Sequence, residues 1–377
     1  EYFAPDGSVA EEITFSGGKR DGRSTLWLTP EEKQEEKFYK NGKLDGPSTF
    51  WENGYRSTMT TYKSDNPEGP WVIWYPNLDQ IKEQGFHQNG VREGLTTYYY
   101  DDGKMQREGF FQEGLPEGVW TYWNKKGDKD FDFDFGSGLE HISLEDLVER
   151  ESMFYKLGDD IPFTGIITQE NPEADYLFLG RTKEGKKDGQ WVKWFPSGKD
   201  VPEIILVDVP TPEPAVPWSG GKQEQGGFKG GEKHGDWTEW YDNEHIKSHG
   251  TYNEGIMDGS WTFYHQNGVK EKEGSLINGN ADGLWIFWND EANKVQEGTF
   301  SNGIKEGQWT AWFEDGRLTE GYYAGGKKDA TWTSWWDFDR ARKEMQGAYK
   351  KGKMVDKWFF YDKSGNLKEI RYFSPDF

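Results

Sequence analysis

The sequence Gly235-Asp-Trp237-Thr-Glu-Trp240 recurs, with limited variation, at fixed intervals along the C-terminal half of the chain. Its pattern is a glycine, one variable residue, an indole, and a second ring three residues after the first. The next copies are Gly259-Ser-Trp261-Thr-Phe-Tyr264, Gly283-Leu-Trp285-Ile-Phe-Trp288 and Gly307-Gln-Trp309-Thr-Ala-Trp312, so the leading glycines lie 24 residues apart. A fixed period of this length indicates a repeat array in which each unit packs on its neighbours.

Each repeat unit predicts one β-hairpin. Return strands such as Gly298-Thr-Phe300 separate the ring pairs, and turns such as Asn267-Gly268 and Asp315-Gly316 join the strands. Asn-Gly and Asp-Gly favour tight hairpin turns because both residues tolerate positive φ. We therefore expect an all-β fold, an elongated array of antiparallel β-hairpins of about 24 residues each, interrupted by one small helical insert.

The composition indicates that aromatic rings replace an aliphatic core. Only 33% of the 377 residues are hydrophobic, yet the chain has 20 Trp, 19 Tyr, 24 Phe and 48 Gly. Residues three apart face opposite sides of an ideal strand, so Trp285 and Trp288 should lie on different faces, with Phe287 beside Trp285. A buried ring removes about 150–250 Å² from water, so a ladder of rings can stabilise a single sheet.

The repeat pattern divides the chain into five segments. Residues 1–127 carry less regular repeats, and residues 227–377 carry the regular ones. Between them we expect an acidic insert at 128–175, an isolated repeat at 176–198 and a Pro-rich connector or arm at 199–226. Alternating prolines in the connector favour extended backbone with few hydrogen bonds.

The acidic insert combines a strand pattern and a helix pattern. The strict alternation in Asp130-Phe-Asp132-Phe-Asp134-Phe135 predicts a strand with Phe on one face. Ser143-Leu-Glu-Asp146 resembles a capped helix start, and Gly158 would end a helix near 143–157. This helix would either cover an irregular part of the sheet or dock a partner. The apolar residues at helical spacing are Leu144, Leu147, Val148, Phe154 and Tyr155.

Charge and composition exclude several classes of protein. With 67 acidic and 45 basic residues the net charge is −22, which disfavours binding to nucleic acid or to anionic membranes. The chain has no Cys, so disulfides and thiolate chemistry are excluded, and it has no apolar run long enough to span a bilayer. A first residue other than Met indicates a removed leader or a trimmed chain. We favour a secreted, periplasmic or cell-surface location over a cytoplasmic one.

Catalytic and metal-binding motifs are missing from the sequence. Serines lack a Gly-x-Ser-x-Gly context, the histidines lack zinc-site spacing, and Gly220-Gly221-Lys222 lacks the other residues of a phosphate-binding loop. A calcium loop starting at Asp130 would need Gly at its sixth position and Glu at its twelfth, where Phe135 and His141 stand. We therefore expect no enzyme activity, no cofactor and no metal.

The units resemble the MORN repeat, and more specifically the bacterial MORN-repeat variant whose members include YwqK-type antitoxin components. The matching residues are Tyr252-Asn-Glu-Gly255 with Gly259-Ser-Trp261, and Phe300-Ser-Asn-Gly303 with Gly307-Gln-Trp309. The resemblance implies a β-hairpin array used for scaffolding and protein–protein contact, with lipid binding in some members. It covers roughly residues 10–127, 176–198 and 227–365.

These observations predict a non-enzymatic scaffold that holds protein partners in a larger assembly. The alternatives are a carbohydrate-binding surface protein and an antitoxin or immunity protein that binds a basic toxin through its acidic surface. Partner or glycan binding would use a groove lined by part of the aromatic ladder, whereas a purely structural ladder would only pack ring on ring. The ladder residues are Trp237, Trp261, Trp285, Trp309 and Trp332.

Overall fold

A computed structural model describes residues 2–3, 9–171, 174–194 and 221–374. The chain divides into two compact units, Glu1–His141 and Ile142–Phe377. Most of the predicted connector at 199–226 lies outside the described residues. Its C-terminal end belongs to a strand of the second unit.

The N-terminal unit is one antiparallel sheet whose strands lie side by side in chain order. Among the described residues each strand pairs only with its predecessor and its successor, so the sheet is open. The strands are β1 Tyr2–Phe3, β2 Val9–Ser16, β3 Lys19–Thr29, β4 Glu32–Lys40, β5 Lys43–Glu52, β6 Tyr55–Lys63, β7 Asn66–Trp74, β8 Ile81–Gln88, β9 Val91–Tyr99, β10 Met105–Gln112, β11 Leu115–Trp123 and β12 Lys129–Asp134.

The C-terminal unit contains a longer sheet of the same kind, in the order β13, β16 and then β17 to β31, and a separate β14–β15 hairpin. Its strands are β13 His141–Ser143, β14 Leu147–Arg150, β15 Met153–Lys156, β16 Gly165–Asn171, β17 Ala174–Lys183, β18 Lys186–Trp194, β19 Lys222–Lys229, β20 Glu232–Trp240, β21 Ile246–Asn253, β22 Ile256–Tyr264, β23 Lys270–Ile277, β24 Asn280–Trp288, β25 Lys294–Ser301, β26 Ile304–Trp312, β27 Leu318–Ala324, β28 Lys327–Trp335, β29 Lys343–Lys350, β30 Lys353–Tyr361 and β31 Leu367–Phe373.

The predicted all-β array of antiparallel hairpins is confirmed. A typical pair is β24 with β25, in which Trp285 stands opposite Gly298 and the register shifts once, between Phe287 and Trp288. The described part of the isolated repeat, as far as Trp194, also lies in the long sheet, because β18 pairs directly with β19. The strands on either side of the predicted connector are therefore neighbours.

The predicted helix near 143–157 was wrong. Leu144–Asp146 forms a single 3-10 turn, and the following residues form the β14–β15 hairpin. Glu151 and Ser152 turn the chain with φ of 51° and 60°, and Phe154 N donates to Gly185 O at 2.8 Å. Contacts with the rest of the sheet thus outweigh the local helical spacing. In the described ranges no helix has the length and apolar character needed to cross a bilayer.

Candidate functional site

Among the described residues, eight indoles lie flat on a glycine of the preceding strand, whereas Trp71 stands opposite Thr60. A Cβ built on Gly298 would stand 2.1 Å from Cδ2 of Trp309, closer than any side chain tolerates. Each such glycine, called a seat glycine below, precedes its indole by 11 residues. The other pairs, with a nearest distance of 2.2 or 2.3 Å, are Gly109–Trp120, Gly180–Trp191, Gly226–Trp237, Gly250–Trp261, Gly274–Trp285, Gly321–Trp332 and Gly347–Trp358.

A hydrogen bond holds each of these indoles on its seat. Trp309 Nε1 donates to the carbonyl oxygen of Thr299 at 2.9 Å, and Trp285 Nε1 donates to Ser275 O at 3.1 Å. The acceptor is the residue that follows the seat glycine, at the point where the strand register shifts. A bulge leaves a backbone group without a ladder partner, so its carbonyl is available to the indole.

The aromatic ladder of the C-terminal unit is buried. Trp309 packs edge-on between Phe300 and Tyr323, with ring centroids 4.9 and 5.9 Å away. Only 2–5% of each ladder indole is exposed, which leaves no open aromatic face on these rings. The ladder residues are Trp237, Trp261, Trp285, Trp309 and Trp332.

Lysines lie over Trp237, Trp309 and Trp332 of this ladder. Lys305 Nζ lies 3.9 Å from the ring centroid of Trp309, and Lys328 Nζ lies 4.1 Å from that of Trp332. Burial, with a smaller contribution from the nearby Lys328 charge, lowers the pKa of Lys305. Cation–π attraction stabilises these contacts. A sugar ring that stacks on the ladder would have to displace these ammonium groups.

The five residues assigned to a docking helix serve mainly to cover the sheet. Leu144, Leu147 and Phe154 pack in one apolar cluster with Trp191. The rings of Phe154 and Trp191 lie 6.2 Å apart and nearly parallel. Val148 and Tyr155, which pair with each other, are partly exposed. Because three of the five side chains face inward and only Leu144 lies in the short 3-10 turn, these residues do not form the docking helix that the sequence predicted.

An exposed row of apolar side chains, which the sequence reasoning missed, crosses five strands of the N-terminal sheet. Pro70 pairs with Phe86, and Phe110 pairs with Leu95. The exposed fractions are 45% for Phe86, 48% for Leu95 and 57% for both Phe110 and Val119. This apolar stripe consists of Pro70, Phe86, Leu95, Phe110 and Val119.

The stripe lies on the face opposite the buried rings. Phe110 precedes the buried Phe111, and Val119 precedes Trp120, which is only 2% exposed. Successive side chains of a strand point to opposite faces, so burial of one ring row leaves the other row in solvent. Five neighbouring strands at about 4.8 Å spacing give the stripe a length of roughly 20 Å.

The hairpin fold does not require apolar residues at these positions. The stripe residues Pro70, Leu95 and Val119 stand between the repeat glycine and the ring position. In the C-terminal unit the equivalent residues are mostly polar or charged: Asp236, Ser260, Gln308, Thr331 and Lys357, with Leu284 the apolar exception. This contrast between the two halves of the chain is visible in the sequence, and it could have revealed the apolar stripe.

An acidic strand lies at one end of the stripe. Val119 pairs with Asp134 of β12, and the side chains of Asp130 and Asp132 are exposed on the same strand. A hydrogen bond from Lys129 is the largest cause that lowers the pKa of Asp132. In the ranges that the structure describes, no three His, Asp or Glu side chains come together in a group that could hold a metal ion. The strand therefore adds negative charge beside an apolar surface.

Three segments match the sequence profile of the MORN repeat variant: residues 92–113, 233–254 and 257–278. The first segment contains Leu95 and Phe110 of the apolar stripe. MORN repeats are generally protein-interaction or scaffold modules and are typically non-catalytic. No match concerns a YwqK-type antitoxin component, and that part of the resemblance stays a prediction. No curated protein matches the chain.

Two solved structures are weakly similar to the chain. The TcdB2-TccC3-Cdc42 crystal structure is 9% identical, with 98% of this chain and 20% of that chain covered and a TM-score of 0.14. The Tc holotoxin pore of Photorhabdus luminescens is 10% identical, with 92% and 19% covered and a TM-score of 0.15. The chain spans about a fifth of the length of these structures. Likeness at this level carries no argument about function.

Proposed function

We propose that the protein is a non-enzymatic scaffold that binds a protein partner through the apolar stripe of its N-terminal unit. The observation that supports this function is the exposure of Phe86, Leu95, Phe110 and Val119, between 45% and 57%, on four neighbouring strands of one sheet face. Glu93 and Glu117 are the direct partners of Phe86 and Phe110 on their other neighbouring strands. Contiguous exposed apolar rows on a soluble protein typically mark interaction sites. The general role of MORN repeats as protein-interaction modules agrees with this proposal.

The stripe suits a protein ligand with apolar side chains in a row. Phe86 and Phe110 are the largest exposed rings of the stripe and would act as its anchors, because aromatic residues dominate interface energetics. Burying one such ring contributes about 1.5–3 kcal/mol. Basic residues at one end of the partner would meet the acidic strand that starts beyond Val119, and this charge would favour encounter.

The proposal is tested by quantitative capture of partners from native material. The wild-type chain and the double variant F86S/F110S serve as baits, and co-purifying chains are compared by mass spectrometry. The matched control is L284S, because Leu284 is 57% exposed but lies in the C-terminal unit. We expect a chain that is enriched by wild type and L284S and is lost from F86S/F110S.

The unfolding temperature and circular dichroism of all three baits show whether the fold is intact. Since Phe86 and Phe110 are about half exposed, we expect only small losses of stability. A partner set that is identical for the wild type and a folded F86S/F110S variant would contradict the proposal. Partners that are lost from the L284S bait to the same extent as from the F86S/F110S bait would show that the binding site lies elsewhere.

A further inference from the structure

The last strand of the C-terminal sheet has one uncovered edge. In the part of the chain that the structure describes, β31 pairs only with β30. Leu367 is 53% exposed, Ile370 is 41% exposed and Tyr372 is 71% exposed. An edge strand presents backbone N–H and C=O groups that can pair with another strand.

The residues of β31 do not suit a further regular repeat unit. Arg371 stands opposite Trp358, as the seat glycine Gly347 stands opposite Trp332 one hairpin earlier. Its guanidinium lies over the ring of Phe360 at 4.7 Å and forms an ion pair with Glu369 at 2.7 Å. A long side chain therefore fills the position on which the next indole would lie. A regular unit, whose indole needs a glycine at this position, therefore does not fit on this edge.

We propose that β31 pairs with β31 of a second copy of this chain. In this antiparallel pair Ile370 lies on the two-fold axis and faces itself, and Glu369 of one copy stands opposite Arg371 of the other. The same register places Lys368 opposite Tyr372 and Leu367 opposite Phe373. Such an isologous contact closes after two copies because both contribute the same surface.

Charge complementarity selects this register over its neighbours. A shift of two residues in one direction would place Arg371 opposite Arg371, and a shift in the other direction would place Glu369 opposite Glu369. Like charges directly opposite each other destabilise an antiparallel pair, whereas opposite charges stabilise it. A shift of one residue would exchange the two faces of the sheet. Only the register centred on Ile370 therefore combines facing opposite charges with matched faces.

The ion pair within each chain does not compete strongly with this contact. The side chains of Arg371 and Glu369 are 55% and 44% exposed, and exposed pairs contribute little to stability. In the dimer the four charges alternate in sign, so each can keep its own partner and gain another. The contact involves one short strand from each copy, and we therefore expect a weak, concentration-dependent dimer.

The test measures self-association of the full chain by sedimentation velocity over the micromolar range. We expect a reversible dimer for the wild type. E369R creates two Arg–Arg contacts and R371E creates two Glu–Glu contacts, so each single variant should raise the dimer Kd by roughly tenfold or more. Mixing the two variants should restore the dimer as a heterodimer, because every facing pair is then of opposite sign.

The double variant E369R/R371E should also dimerise, since it exchanges the charges without changing their complementarity. Hydrogen exchange in β30 and β31 of the single variants shows whether the edge strand is folded, and recovery of the dimer in the mixture is a second, independent control. A monomeric wild type, or a dimer unaffected by both single reversals, would overturn the proposal. Dimerisation lost in F86S/F110S but kept in E369R would show that copies associate through the apolar stripe instead. Failure here leaves the proposed partner binding intact, because it is measured at the other unit.

Discussion

Gly298→Ala tests the fit between an indole and its seat. The added methyl group would lie 2.1 Å from Cδ2 and 2.4 Å from Cε2 of Trp309, so the indole has to move. Overpacking of this kind costs about 1–3 kcal/mol, and loss of the 2.9 Å bond from Trp309 Nε1 to Thr299 O adds about 1 kcal/mol. Ala also restricts the unfolded chain, which offsets about 0.4–1 kcal/mol. We expect a net loss of roughly 1–3.5 kcal/mol in the free energy of unfolding.

The assay combines urea denaturation, followed by circular dichroism, with hydrogen exchange. Exchange is needed because repeat arrays depart from two-state unfolding, and it localises the loss to β25 and β26. Gly221→Ala is the matched control, since its methyl group would stand 2.7 Å from Cγ of Glu244, an exposed and flexible side chain that can turn away, whereas the buried Trp309 cannot. We expect this control to stay within about 0.5 kcal/mol of wild type.

A double-mutant cycle separates the clash from other effects of the methyl group. Trp309→Ser should cost about 3–5 kcal/mol in the wild type, as truncation of buried Trp does, but about 2 kcal/mol less in the Gly298→Ala background. In the N-terminal sheet, Lys37 and Ser48 stand opposite each other at the positions equivalent to Gly298 and Trp309. A side chain larger than glycine is therefore already combined there with a serine in place of the indole. A Gly298→Ala variant with wild-type stability and unchanged exchange in β26, or an additive cycle, would refute the packing argument.

Ala330 and Asp356 occupy positions where the other regular units have glycine, with φ of 54° and 57°. Replacing either by Gly should raise the free energy of unfolding by about 1 kcal/mol, and equal urea midpoints would contradict this. The Glu306 carboxylate accepts a hydrogen bond from Gly325 N at 2.9 Å, so Glu306→Ala should speed amide exchange at that turn, whereas unchanged exchange would refute the cap. Burial, and to a lesser extent the charge of Arg92, lowers the pKa of the His87 imidazole below its usual 6.5. The imidazole therefore binds a proton more tightly in the unfolded chain than in the folded protein. The contribution of neutral His87 to the free energy of unfolding is therefore complete above about pH 6.5 and falls as the pH drops below that value. His87→Phe should make the free energy of unfolding fall less steeply as the pH drops below about 6.5. An equal slope for the wild type and the variant would argue against this role of His87.

The strand faces could be predicted because they depend on local alternation. Trp285 and Phe287 lie on one face with ring centroids 6.2 Å apart, as the period of two requires. The alternation at 130–135 also held, since Phe131, Phe133 and Phe135 are buried while the intervening aspartates are exposed. The Gly-x-Trp period likewise placed the hairpins correctly.

Contacts between strands could not be predicted from the same patterns. The link between Gly298 and Trp309 depends on a register shift, which a sequence period does not reveal. The helix prediction failed because the spacing of Leu144 and Leu147 also suits residues that fold inward onto Trp191. The apolar stripe was missed because Phe110 has no local mark that distinguishes an exposed ring from the buried Phe111.

The seating of each indole on the hairpin before it restricts how such a chain can change length in evolution. Duplication or loss of a whole module keeps every indole in phase with its glycine, whereas a single inserted residue within a strand puts the following contact out of phase. Binding sites on one sheet can therefore be moved apart only in steps of one hairpin, about 10 Å across two strands. The distance between two binding sites on one sheet is then a multiple of the hairpin spacing.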